Sequence, residues 1–342
     1  MERISSGPFG NFAPLAATTR RGLLGTGGAL ALGGLLPGMA AAQSDWPTKS
    51  LRFVVPFAPG GSSEIVARST AAELSKTLGQ NVYVDNKPGA AGNIAMAEVA
   101  RSDDQHTLIL GHIGTLAVNP YIFDKLPYDA NKDFKPVSLL AKVPSLYVVH
   151  PDVPAKNLKE FLEYARKQPG KLSYGSAGNG SAGQLAFEYL KMTANVFMLH
   201  VPYRGTGPML TDLLSGRLQA SAVGAAAMLP FIKSGKVRCI ATGSAQRLPL
   251  LPDVPTVAEQ GFPGFEMTQW YGMLAPANLA QARLEKLAVE TAKAVKAPAS
   301  LQRLNGDAAE AIGDTPAQFA QFIATEQARW KTVIARAQIK PD

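Results

Sequence analysis

One cysteine in 342 residues leaves no disulfide framework to read. That residue, Cys239, lies in the apolar run Val237-Arg238-Cys239-Ile240-Ala241 and reads as a buried structural thiol. The four histidines, His106, His112, His150 and His200, never stand at metal-ligand spacing from another ligand type, so no metal is expected. Although the net charge is +8, Lys and Arg form no block, which argues against nucleic acid as a partner and leaves a small anion as the better match for the surplus. Neither G-x-S-x-G nor G-x-x-x-x-G-K-[ST] occurs. No pair of carboxylates is set out for acid/base work. Nothing therefore marks a nucleophile or a base, and neither enzyme activity nor a cofactor is expected.

An uninterrupted apolar run of the ~20 residues that a membrane span needs is also missing. The run from 29 to 36 is shorter, and it follows Thr19-Arg20-Arg21-Gly22-Leu23-Leu24 and precedes Ala40-Ala41-Ala42. Residues 1–42 read as a twin-arginine-type export signal cut near Ala42, which places the mature chain in the periplasm. Setting Arg3, Arg20 and Arg21 against Glu2 leaves +6 of the +8 for residues 43–342. Those residues are numerous and apolar enough to fill two cores.

Glycine, in contrast, is plentiful and placed. Lys171-Leu172-Ser173-Tyr174 is a strand-like run, and a helical pattern begins near Gln184. Between them stands Gly175-Ser176-Ala177-Gly178-Asn179-Gly180-Ser181-Ala182-Gly183. Such a turn brings backbone N–H groups and a helix N-terminus to one point, which suits an anion. A second unit of the same kind runs from Leu51-Arg52-Phe53-Val54-Val55 through Pro56-Phe57-Ala58-Pro59-Gly60-Gly61-Ser62-Ser63 into a helix whose first turn holds Glu64. Shorter turns follow at Pro88-Gly89-Ala90-Ala91-Gly92 and, after the buried-type strand Thr107-Leu108-Ile109-Leu110, at Gly111-His112-Ile113-Gly114-Thr115. Strand ends of the latter kind are where open α/β sheets hold ligands.

Strands and helices alternate in both halves, so the expected fold is α/β with two lobes and a cleft between them. Residues 43–150 and 272–342 are assigned to the first lobe and 151–271 to the second. The crossing is placed at Pro151-Asp152-Val153-Pro154. The terminal helix should open on Thr315 with Pro316 at its first position, and its aromatics, among them Phe319, Phe322 and Trp330, are read as core.

Gly178-Asn179-Gly180-Ser181-Ala182-Gly183 also fits G-x-G-x-x-G, the dinucleotide fingerprint. That motif wants an acid about twenty residues on, yet after Glu188 the next acid is Asp212. The nucleotide reading is set aside.

The turns taken together resemble the solute receptors of tripartite tricarboxylate transporters, the Bug-type (Bordetella uptake gene) family. The likeness is carried in order by Val54-Val55-Pro56-Phe57-Ala58-Pro59-Gly60-Gly61, Asn86-Lys87-Pro88-Gly89-Ala90-Ala91-Gly92-Asn93-Ile94, Leu126-Pro127-Tyr128-Asp129, Tyr174-Gly175-Ser176-Ala177-Gly178-Asn179-Gly180-Ser181, His200-Val201-Pro202-Tyr203-Arg204-Gly205 and Leu251-Pro252-Asp253-Val254-Pro255-Thr256-Val257-Ala258-Glu259. It implies a two-lobed periplasmic binding protein fold of type II, a monomer that closes on an organic carboxylate and passes it to membrane permease subunits. It further implies that Phe57, Ala58, Pro59, Gly60, Gly61 and Ser62 in one lobe, and Ser176, Ala177, Gly178, Asn179, Gly180 and Ser181 in the other, hold the carboxylate. Specificity is looked for at Gly111, Ile113, Gly114 and Thr115, and near Tyr203 and Trp270. Where family members often have an Asp-Asn pair, this chain has Val223-Gly224, and a frequent His is Gln184. The missing acid motivates the expectation of a ligand without an amine: a di- or tricarboxylate, or an aromatic acid. Two other classes remain open, a sensor protein that passes the same ligand to a signalling partner and a secreted carboxylate-ester or amide hydrolase.

Overall fold

The structure is a computed structural model that describes residues 46–337; the expected export signal at 1–42 lies outside the described residues. In the first part of the chain β1 (Leu51–Val55), α1 (Ser62–Leu78), β2 (Val82–Asn86), α2 (Asn93–Ala100), β3 (Thr107–His112), α3 (Asn119–Ile122) and β4 (Phe134–Pro144) follow one another. Next come β5 (Leu146–Val149), α4 (Leu158–Lys167), β6 (Ser173–Ser176), α5 (Ala182–Ala194), β7 (Leu199–Pro202), α6 (Thr206–Leu214), β8 (Ala220–Val223), α7 (Ala225–Lys233) and β9 (Arg238–Thr242). The chain finishes with β10 (Thr268–Pro276), α8 (Gln281–Lys296), α9 (Pro298–Asn305), β11 (Glu310–Ala311) and α10 (Pro316–Ala337). No helix among the described residues is long and apolar enough to cross a membrane.

Two sheets carry the two lobes. The first has the order β11-β4-β10-β3-β1-β2 and the second β7-β6-β8-β5-β9. β1 lies parallel between β2 and β3, and β6 parallel between β7 and β8, so the C-terminal ends of β1, β3, β6 and β8 feed the turns at issue. All six residues of β3 and all four of β8 are buried, in keeping with strands covered on both faces.

The chain leaves the first sheet at Ser145 and not after His150, because Leu146–Val149 pairs with β8 and β9 of the second sheet. In the sequence residues 137–149 look like one continuous strand; Pro144, which lacks an N–H, divides it. The return begins at Thr268, ahead of the expected Gly272. The two crossings are tied together: Ser145 N–H donates to the Met267 carbonyl (3.3 Å), Gly243 N–H to the Ser145 carbonyl (2.7 Å) and Met267 N–H to the Gly243 carbonyl (2.7 Å).

Helix ends follow the sequence closely. Asn157 caps α4, its Oδ1 accepting from Glu160 N–H at 2.9 Å, and Thr315 caps α10 through Gln318 N–H at 3.3 Å. The Thr256–Glu259 capping box forms as well, with Thr256 N–H donating to Glu259 Oε2 (2.7 Å) and Glu259 N–H to Thr256 Oγ1 (3.1 Å), although it opens only a short 3₁₀ turn. Phe319 and Trp330 of α10 are fully buried, and Trp330 meets Tyr189 of α5 edge-on at 6.2 Å, so this helix joins both lobes. Cys239 is buried and desolvation pushes its thiol up to about 12, which makes it inert.

Candidate ligand site

The turn after β1, the turn after β6 and the turn after β8 converge on one cavity of about 40 Å³. Its walls are Phe57, Ala58, Gly61, Ser62 and Ser63 at the start of α1; Ala177, Ser181, Ala182 and Gly183 at the start of α5; and Ala222, Val223, Gly224 and Ala227 around the start of α7. His112, Thr206, Gln269 and Tyr271 complete it. Three helices, of 17, 13 and 9 residues, thus aim their N-termini at one point. The first amides of a helix have no intrahelical acceptor, and each N-terminus carries a partial charge of roughly +0.5. No Asp, Glu, Lys or Arg lines the cavity. Its positive potential comes from backbone dipoles, its donors from amides and from the hydroxyls of Ser63 and Ser181.

His112 adds the most directed donor. The ring is buried, and Nδ1 accepts the Gly114 N–H at 2.8 Å, which leaves the proton on Nε2. Nε2 is itself buried and has no partner among the described residues. Desolvation pushes the imidazole down to about 3, so it is neutral at every physiological pH. The Phe57 ring rests against it, centroids 4.5 Å apart. Thr115 braces this loop, its Oγ1 accepting from His112 N–H (3.2 Å) and donating to the His112 carbonyl (3.3 Å).

Of the residues named from the sequence, Phe57, Ala58, Gly61, Ser62, Ala177 and Ser181 line the cavity. Phe57, Ala177, Gly178, Asn179 and Tyr203 line a wider, open groove of about 520 Å³ beside it, with Pro88 to Gly92 and Arg204. Pro59 lines neither. The Gly60 N–H is engaged by Glu64 Oε2 (2.7 Å) and the Gly180 N–H by Gln184 Oε1 (2.7 Å), so these two glycines shape their turns and are not the anion's donors. Ser176 is fully buried, 2.7 Å from His200 Nε2, and its Oγ accepts from Gly178 N–H at 3.1 Å.

Three sequence assignments need correction. Gly111 sits in the core: a Cβ there would fall 2.6 Å from Leu116 and 2.7 Å from Leu274. Ile113 is likewise buried in the apolar cluster. Trp270 is buried against α10, its indole N–H donating to Glu326 Oε2 at 2.7 Å and its ring facing Phe319 and Phe322, so it packs and does not reach the cavity. Gly114 acts through backbone, since a Cβ there would lie 1.9 Å from the Gly180 carbonyl oxygen. His112, inside the loop Gly111 to Thr115, was not among the site residues expected from the sequence. Nor was the turn between β8 and α7, at Gly224, named as part of the site. The signal there was Gly224 at the end of a buried-type strand.

Residues 66–339 match the family described as Tripartite tricarboxylate transporter family receptor. A Pseudomonas sp. protein, described as the UPF0065 protein in the tcbD-tcbE intergenic region, is 36% identical over 86% of this chain and 88% of its own. Protein BugT of Bordetella pertussis is 32% identical over 89% and 94%. Among solved structures, a Rhodopseudomonas palustris protein with adipate superposes with a TM-score of 0.83 at 35% identity, covering 87% of this chain and all of that one. MatC of the same organism, with bound malate, gives 0.81 at 35%, covering 84% and 100%. The chain belongs to the tripartite tricarboxylate transporter receptor family, the two-lobed periplasmic solute-binding proteins that include the Bug proteins.

Proposed function

We propose that this receptor, exported to the periplasm and cut near Ala42, captures a small organic carboxylate without an amine and hands it to membrane permease subunits. The observation that carries the reading is the cavity itself: three helix N-termini, serine hydroxyls and a neutral His112 N–H, with no charged side chain in the wall. A carboxylate finds donors there without a counter-ion, and preorganised dipoles in a dry site bind charge with little reorganisation. An ammonium finds no carboxylate among the lining residues, which disfavours amino acids. The adipate and malate held by the two R. palustris proteins support the same ligand class.

A thermal-shift screen of residues 43–342 with mono-, di-, tri- and aromatic carboxylates tests this. A ligand at a hundred times its Kd should stabilise by roughly 2.7 kcal/mol. Titration calorimetry that finds aspartate or glutamate bound tighter than every non-amino carboxylate would overturn the amine-free preference.

A further inference from the structure

Among the described residues three carboxylates are buried: Glu73, Asp307 and Glu326. Glu73 is paired with Lys76 at 2.9 Å, and Glu326 accepts the indole N–H groups of Trp270 (2.7 Å) and Trp330 (3.3 Å). Asp307 differs. It lies with no exposed surface in the link between α9 and β11, on the side of the first sheet. Its Oδ1 accepts the Ala226 N–H at 2.6 Å, in the first turn of α7 and so on the side of the second sheet. The Ser62 side chain also bonds to it. Oδ2 is buried and has no partner among the described residues. The approach depends on Gly224, where a Cβ would stand 2.0 Å from Ser62 Oγ and 2.8 Å from Asp307 Oδ1.

Asp307 therefore sits directly behind two of the three helix N-termini that wall the cavity. The groups that face it are the Ser62 hydroxyl from α1, the Ala226 amide from α7 and, from β10, the Tyr271 phenol, whose proton is held more tightly by burial and, after it, by the Asp307 charge. None of these is a cation. An ionised carboxylate here has one oxygen without a donor, and a second anion entering the cavity would compete for the same dipoles and add like-charge repulsion.

We propose that capture of an anion in the cavity is coupled to the uptake of one solvent proton by Asp307 Oδ2, so that the lobes close on one negative charge and not on two. This rests on the reading of the cavity as a carboxylate site. The placement of the proton leaves Oδ1 free to keep its bond to Ala226 across the lobes. Burial, set against the lowering effect of the bonds from Ser62 and Ala226, already pushes the Asp307 carboxyl up to about 6 from the usual 3.8. The sign follows from that direction: the closed state binds the proton more tightly than a hydrated Asp307 does, so closure is favoured as pH falls through about 6 and the gain levels off toward 3.8. His112, held neutral, works in the opposite sense if opening hydrates it, so the measurement must isolate Asp307.

Calorimetric titration of residues 43–342 with adipate and with malate, in MES and in Bis-Tris at pH 6, gives the protons taken up per ligand bound. The difference between wild type and Asp307→Asn removes the contributions of the ligand and of His112. Asparagine retains an Oδ1 acceptor for Ala226 and carries no titrating group. Wild type should take up about half a proton more than the variant at pH 6, and between pH 7.5 and 5 its affinity should rise about tenfold relative to the variant. Equal uptake in the two proteins, or an affinity ratio that stays constant with pH, overturns the inference while leaving the carboxylate reading intact. Failure of adipate, malate and every other carboxylate tried to shift the melting temperature overturns both. A check without the variant is the carbon-13 shift of the Asp307 carboxyl in ligand-saturated wild type. It should titrate near pH 6 or above, and a midpoint close to the usual 3.8 would refute the proton uptake.

Discussion

In the turn before α1 the Gly60 amide donates to the Glu64 carboxylate, four residues on; in the turn before α5 the Gly180 amide donates to the Gln184 carboxamide, also four residues on. Both glycines have positive φ, +103° and +70°, two residues ahead of the helix. The backbone plan is shared, and the side chains divide it. Glu64 is half-buried and pairs with the exposed Arg68 at 2.6 Å. Gln184 is buried, with its Nε2 3.2 Å from His200 Nδ1. The first turn ends on Gly61, which offers no side-chain cap; the second ends on Ser181, whose Oγ is 3.5 Å from Gln184 N. A glycine turn thus leaves the backbone free to approach a ligand, but the third helical residue decides which amides stay open and what charge stands beside them. In the second jaw that residue is buried and neutral; in the first it is half-buried, charged and neutralised by Arg68.

The comparison breaks most sharply at the glycines. A Cβ at Gly180 would fall 2.7 Å from Asn119 Oδ1 and 3.2 Å from Ala91 Cβ, both across the cleft, whereas at Gly60 its nearest neighbour is Gly207 N at 3.9 Å. Gly180→Val should weaken carboxylate binding by more than ~100-fold because the lobes cannot meet, and Gly60→Val by only a few-fold. Both variants should lose about 1–3 kcal/mol of stability to the positive φ, read by thermal unfolding. Equal losses of affinity would show that the Gly180 contact across the cleft is not what closure depends on.

His112 stands between the two turns, with Phe57 of the first against its ring and Gly114 meeting both its Nδ1 and the Gly180 carbonyl. Replacement by Phe keeps an aromatic ring beside Phe57 and removes the Nε2 donor. Calorimetry should find affinity about 10- to 100-fold lower, the range for a hydrogen bond to a charged group. Stability carries a second readout. The folded-state pKa is depressed to about 3 from the usual 6.5, so the folded protein favours the neutral ring. That advantage is complete above 6.5 and is lost as pH falls toward 3. At pH 5 wild type should be about 2 kcal/mol less stable relative to His112→Phe than it is at pH 8, as measured by denaturant titration.

The alternation of strands, glycine turns and helices was legible because each unit is local: apolar run, positive-φ glycine and capped helix lie within about twenty residues. Trp270 and Ile113 were misplaced for the opposite reason. Whether a residue beside a site faces the cleft or the core depends on α10 and β10 packing over it, partners more than fifty residues away in the case of Glu326. Asp307 was invisible in the sequence, since its role comes from meeting Ser62 and Ala226, which lie 245 and 81 positions away. Gly224 could have been found as a third strand-to-helix turn; only the lack of a charged residue in 220–227 hid it.

The smallest expected effects belong to the residue that distinguishes the two jaws. Gln184→Glu keeps the acceptor for Gly180 N–H but sets a carboxylate within the first turn of α5, buried and beside His200. The new charge repels a bound anion. Affinity should fall about 10-fold. Glu64→Gln makes the reverse change on the first jaw, and because Arg68 already offsets that charge, affinity should change less than about twofold. Measuring both variants by calorimetry separates the jaws. If Glu64→Gln strengthens binding as much as Gln184→Glu weakens it, the charge at the third helical position acts alike on both sides of the cleft, and burial is not what sets the two turns apart.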